Sequence, residues 1–198
     1  KGRVFGANNI KGTPKGHGKV LVQKTAAVES QAIDVAAVFG GGNQAAYEPY
    51  NTEDYAEVVI NKLSGDGQRV IVGNVYGGGN EAGIGNTTTV AGTQVNIVNG
   101  EVKSGVYGGC NTSGTVSGDT KVAITGGTIG TDATHTADVF GGGLGYQTLV
   151  NGSVTVEIGS VTTTSGQNPT TACDGYATIW VDVYGGSAKG LVNATKGG

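Results

Sequence analysis

VYGGGN, residues Val75 to Asn80, is one of six near-copies of a single phrase. VFGGGN begins at Val38, VYGGCN at Val106, VFGGGL at Val139 and VYGGSA at Val183, while VFGANN stands at Val4. Successive valines of the phrase lie 34, 37, 31, 33 and 44 residues apart. A self-similar period of that size marks a solenoid, propeller or array in which the repeat, not the domain, is the structural unit.

A second phrase lies between the glycine-rich ones. Thr93 to Val102 (TQVNIVNGEV) aligns without gaps on Thr120 to Ile129 (TKVAITGGTI), and Ser153 to Ile158 and Val20 to Val22 fit the same frame more loosely. Val95 and Ile97, Val122 and Ile124, and Val154, Val156 and Ile158 place an apolar residue at every second position, the signature of a strand with one face buried. No 3.6-residue period persists long enough for a helix. Lys24 to Ala37 comes nearest and reads equally well as a loop and a strand.

Each repeat therefore reads as three short strands and three glycine corners: a T-x-V-x-I strand, a strand ending in the hexapeptide, and a third such as Gly114 to Gly118. That pattern predicts an all-β chain forming a single domain over residues 1–198. The expected architecture is a right-handed parallel β-helix of about six coils, one repeat of about 31 to 44 residues per coil, with strands stacked about 4.8 Å apart. Glycine serves the corners, where φ is positive, and lets successive coils approach closely. A left-handed β-helix is the runner-up, although its hexapeptide-periodic spacing is missing. A propeller of six blades needs more chain than this.

Stacking would set equivalent residues on top of one another. Val4, Val38, Val75, Val106, Val139 and Val183 form one ladder, expected inside. Phe5, Phe39, Tyr76, Tyr107, Phe140 and Tyr184 form a second, expected to face outward because neighbours on a strand point to opposite sides and tyrosine hydroxyls want water or a partner. Asn9, Asn43, Asn80 and Asn111 form a third at a turn, where stacked amides hydrogen-bond along the axis until Leu144 and Ala188 interrupt them.

Composition agrees. Glycine accounts for 39 of 198 residues against an average usage of about 7%, with only 3 prolines and no Gly-X-Y period, so collagen is excluded. The residues between the glycines are β-branched and aromatic, which argues against disorder. A net charge of −3 gives no reason to expect nucleic acid, and no apolar run approaches the ~20 residues of a membrane-spanning helix. The absence of methionine suggests a processed piece of a longer precursor.

On these residues the chain resembles the very large repetitive cell-surface proteins of Bacteroidales-type gut bacteria, which carry VFGGGN and VYGGGN repeats alternating with T-x-V-x-I segments. The resemblance covers essentially the whole chain and is most specific at Val4 to Val22 and at Val38 to Pro49. It implies an exported, surface-exposed, fibrous or adhesin-like role, and it brings no catalytic residues with it.

Enzymatic chemistry finds little support in the sequence. Glu53, Asp54 and Glu57, Asp132 and Asp138, and Asp174 and Asp182 read as solvated charges in three variable linkers, not as the paired carboxylates of a glycosidase. His17 and His135 have no metal-ligand spacing around them, and the turns at Ser64 to Gly67 and Ser117 to Thr120 match no calcium loop. No cofactor or metal is expected. Cys110 and Cys173 are expected as free thiols, because two coils separate their Cα atoms by about 10 Å and a disulfide needs about 7 Å or less.

The expected role is a non-catalytic structural segment of an extracellular fibre or adhesin. Its partners would be a further copy stacked head to tail, a continuation of the array, or a glycan or host surface met by the aromatic ladder. A carbohydrate-binding or carbohydrate-active β-helix is the alternative. The Thr-rich triplets at Thr87 and Thr162 do not recur often enough to form a surface-binding array. The chain begins and ends in mid-repeat, without the polar cap that a free-standing solenoid carries, which is the ground for expecting stacking.

Overall fold

The computed structural model describes residues 1–23, 33–62, 70–130, 138–159 and 177–193. Among these residues the chain is all β and contains no helix. The strands are β1 (Arg3–Phe5), β2 (Gly18–Val22), β3 (Ile33–Phe39), β4 (Tyr55–Asn61), β5 (Val70–Tyr76), β6 (Gly92–Asn99), β7 (Glu101–Val102), β8 (Val106–Tyr107), β9 (Ser113–Val116), β10 (Thr120–Ile124), β11 (Gly127–Ile129), β12 (Val139–Phe140), β13 (Gln147–Val150), β14 (Val154–Ile158), β15 (Ala177–Ile179), β16 (Val183–Tyr184) and β17 (Leu191–Val192).

Three sheets result, and every described pairing is parallel. The first sheet runs β1, β3, β5, then the short pairs β7 and β8, β11 and β12, β15 and β16. The second runs β2, β4, β6, β10, β14. The third runs β9, β13, β17 and is extended by the single bridges Tyr47 to Ile84 and Ile84 to Val116. In each sheet the rungs follow chain order, and the chain visits the second, first and third sheets in turn before returning one rung further on. Antiparallel propeller blades are incompatible with these pairings.

The register follows the repeated phrases. Thr93, Val95 and Ile97 pair with Thr120, Val122 and Ile124. In the first sheet Val4 pairs with Val38, Val38 with Val75, Val75 with Val106, Val106 with Val139 and Val139 with Val183. A one-residue slip would turn every valine outward, so burial of one face locks this register.

The main core lies between the first and second sheets. Val38, Val75, Val106 and Val139 are fully buried there against Val58, Val95, Val122, Ile60, Ile97 and Ile124. A smaller cluster of Tyr47, Ala56, Ile84, Ala91, Cys110 and Val116 fills the corner toward the third sheet. Burying one such valine or isoleucine contributes about 1.5 to 3 kcal/mol.

The hexapeptide glycines act through close approach, not through backbone conformation. Positive φ occurs elsewhere, at corners such as Gly100 and Gly127, and at none of the hexapeptide positions. A Cβ on Gly6, Gly40, Gly77 or Gly108 would fall inside contact distance of the carbonyl oxygen of Gly40, Gly77, Gly108 or Gly141 respectively, one rung away. The threonine of the T-x-V-x-I phrase packs on the same glycines. Thr120 Oγ1 donates to Gly141 O at 2.7 Å and Thr93 Oγ1 donates to Gly108 O, which gives each of these carbonyls a side-chain donor.

Candidate functional site

The aromatic ladder is a continuous column. Consecutive rings from Phe5 through Phe39, Tyr76, Tyr107 and Phe140 to Tyr184 have centroids 4.6 to 5.6 Å apart and lie within 12° of parallel. The column lies on the face of the first sheet opposite the valines, yet its middle is not open to solvent. Phe39, Tyr76 and Tyr107 are 1%, 4% and 3% exposed, in a cluster of their own with Ala37, Leu144 and Ala188. The stripe faces away from the valine core but is not open to solvent: each ring face is covered by the next ring, and the flanking side chains cover the edges. Burial pushes the Tyr107 hydroxyl above its usual range, with the Asp138 carboxylate adding to it, and it raises Tyr76 strongly. A sugar ring could stack only at the column's ends. At one of these the Arg3 guanidinium lies 5.2 Å from the Phe5 centroid; at the other Tyr184 donates to Asp182 Oδ2 at 3.2 Å.

The asparagine ladder is a one-way chain of amides. Asn43 Nδ2 donates to Asn9 Oδ1 at 2.9 Å, Asn80 Nδ2 to Asn43 Oδ1 at 2.9 Å, and Asn111 Nδ2 to Asn80 Oδ1 at 2.7 Å. Each net bond contributes about 0.5 to 1.5 kcal/mol, and amides aligned in one direction polarise one another. At the next rung Leu144 offers no donor to Asn111 Oδ1.

A further polar surface, which sequence reasoning missed, covers the outer face of the second sheet. Glu57 sits in the middle of β4 and is 8% exposed, so it is not the solvated linker charge expected from its neighbours. Its Oε1 accepts from Asn96 Nδ2 at 3.2 Å, and its Oε2 takes Lys19 Nζ at 2.9 Å. His17 stands between two carboxylates, Nε2 3.6 Å from Glu57 and Nδ1 3.9 Å from Asp54, with its ring edge-on to Tyr55 at 4.8 Å. The alternation Lys19-x-Leu21 and Glu57-x-Val59 already placed these charges on one face. What joined them was the register Lys19 to Glu57 to Gln94 across three rungs.

A groove of about 300 Å³ runs along this face, lined among others by Asp54, Tyr55, Gln94, Asp119 and Lys121. Two of its acids, Asp119 and Asp54, and its lysine already have partners. Asp119 Oδ1 accepts the Ser153 backbone N–H at 2.7 Å, Asp54 Oδ2 accepts Asn51 Nδ2 at 3.3 Å, and Lys121 pairs with Glu157 at 2.9 Å. Asp138 and Asp182 are likewise not in separate linkers: they precede equivalent valines, one rung apart, and Asp138 Oδ1 accepts the Asp182 backbone N–H at 3.2 Å. Asp119, Asp138 and Glu157 thus tie rungs together.

Cys110 replaces the third glycine of its hexapeptide and points into the smaller core cluster. It is a free thiol, pushed up to about 12 by burial, and it donates to Ala82 O at 3.3 Å. Asp132, His135, Cys173, Asp174, the Ser64 turn and the Thr162 triplet lie outside the described residues. Among the described residues no group of three or more His, Cys, Asp or Glu side chains is placed to hold a metal ion. No described helix is long and apolar enough to cross a membrane. No protein-family model, curated protein or solved structure matches the chain.

Proposed function

We propose that the three parallel sheets close into a right-handed β-solenoid of about six coils, and that this rod is a non-catalytic structural segment of an exported surface fibre or adhesin. The observation that carries the reading is the hexapeptide register. The valine and the aromatic residue of the phrase pair in register through six rungs, and their columns, with an asparagine ladder over four rungs, serve contact between one rung and the next. Right-handedness rests on the general preference of parallel crossover connections for that hand. The surface location rests on the resemblance of the repeats to those of bacterial surface proteins.

Stacking onto a further coil is part of the proposal. The last described rung exposes Val183 and Trp180 at the edge of the first sheet and Leu191 at the edge of the third by 41%, 46% and 58%. Open edges of this kind pair with another chain or another coil. In an equivalent rung beyond it, Arg3 of a second copy would occupy the position next to Asp182, and Gly185 would meet the carbonyl of Gly6 as Gly141 meets that of Gly185.

Negative-stain microscopy and light scattering over a concentration series test the stacking. Fibres or rods that lengthen with concentration, and that Gly185→Val abolishes without changing the fold, are the expected result. A monodisperse monomer at high concentration would refute self-stacking. Cleavage of a polysaccharide by the unmutated chain would overturn the non-catalytic reading.

A further inference from the structure

Where Leu144 breaks the asparagine ladder, a groove of about 440 Å³ opens, lined by Asn111, Thr112, Leu144, Tyr146, Gln147 and Lys189. We propose that this groove is a saccharide-binding subsite selective for a sugar carrying a carboxylate. The volume lies within the range of small-molecule sites, which join an apolar floor to a few convergent polar groups.

Tyr146 is the first reason. It is 79% exposed, far more than any ring of the column, and among the described residues its ring stacks on no other aromatic. Lys189 Nζ lies 5.5 Å from its centroid. An exposed aromatic ring is an apolar platform with a polar edge, suited to the C–H face of a pyranose.

The amide ladder is the second. Asn9, Asn43 and Asn80 each accept a hydrogen bond from the next rung, but Asn111 Oδ1 receives none from a described residue. It is the acceptor end of a chain of aligned amides, which makes it a stronger acceptor than an isolated one. It opens on the same groove as Tyr146. A sugar hydroxyl is the donor that the fifth rung withholds, and Gln147 adds a donor and an acceptor beside it.

Charge chooses the sugar. Among the described residues Lys189 is the only charged one lining the groove, and no described carboxylate pairs with it. A uronate carboxylate would form a charge-assisted hydrogen bond there, whereas a cationic sugar would meet only repulsion. The subsite stands on its own residues and does not depend on how the ends of the array are completed.

The test is a heteronuclear NMR titration of the full chain with an oligouronide trimer and with the neutral trimer of the same linkage. The oligouronide should give saturable shifts at Gly145, Tyr146, Gln147 and Lys189, with a Kd of about 0.1 to 1 mM, and the neutral trimer should bind about tenfold more weakly. Tyr146→Ala, harmless to the fold at so exposed a position, should abolish both. Lys189→Gln should remove the preference alone. Leu144→Asn supplies Asn111 Oδ1 with a protein donor, so it should weaken binding several-fold. No shifts with either trimer at about 10 mM, or shifts that survive Tyr146→Ala, would overturn the site. Equal affinity for the two trimers would overturn its selectivity for acid.

Discussion

Gly77→Ala and Gly185→Ala make the same chemical change at the same position of the hexapeptide, and their surroundings give them opposite outcomes. A Cβ on Gly77 would lie 2.9 Å from both Cβ and Oγ1 of Thr93 and closer still to the carbonyl oxygen of Gly108. Backbone oxygen cannot rotate away, so the rungs must separate. Overpacking of this kind costs about 1 to 3 kcal/mol. Separation also stretches two flanking backbone bonds between the same rungs, Gly77 N to Tyr107 O at 2.8 Å and Gly78 N to Gly109 O at 3.0 Å. Losing them adds about 1 kcal/mol each. The lower entropy of the unfolded alanine chain returns about 0.4 to 1 kcal/mol, which leaves a net loss of about 3 kcal/mol.

A Cβ on Gly185 would meet nothing within 4 Å among the described residues, and its φ is not positive, so there only the entropy change remains. The unassembled chain should gain about 0.4 to 1 kcal/mol. Guanidinium unfolding followed by far-ultraviolet circular dichroism, on dilute protein below any assembly threshold, measures both. If the two variants lost stability equally, the hexapeptide glycines would be serving backbone conformation and the close-approach explanation would be refuted.

Asn80→Ala removes one bond given and one received, so equilibrium unfolding should show a loss of about 2 kcal/mol, against under about 1 for the ladder-end variant Asn9→Ala. Native Cys110 should resist alkylation at pH 8 by about a thousandfold relative to unfolded protein, because a thiol pushed up to about 12 leaves that much less thiolate than one at the ordinary 9.0; peptide mass spectrometry reads this residue directly. The same shift sets a pH dependence. With the folded pKa above the unfolded one, the stabilisation is complete below pH 9 and falls as pH rises toward 12, because the unfolded chain releases the proton first; Tyr76 and Tyr107 steepen the loss above pH 10. A stability curve flat from pH 8 to 11 would contradict the burial of these groups.

Much of the architecture was legible in the residues themselves. Period-two apolar positions define strands because successive side chains point to opposite faces, and a phrase recurring in register pairs with itself, so Val38 on Val75 and Thr93 on Thr120 follow from the sequence. Parallel strands and the direction of the valines follow as well. Depth was not legible, because burial depends on what the neighbouring rows carry. The Phe39 to Tyr107 rings are covered because Ala37, Leu144 and Ala188 close around them, and a strand pattern says only that a side chain faces outward, not what lies beyond it. Linear proximity misled in the same way for Glu57, which shares a stretch with Glu53 and Asp54 but answers to Lys19 and Asn96, 38 residues before and 39 after it in the chain. The groove beside Tyr146 is likewise a product of tertiary structure: the sequence records that Leu144 breaks the ladder, and only packing sets Asn111, whose Oδ1 receives no hydrogen bond from a described residue, in one groove with an exposed ring and a lysine.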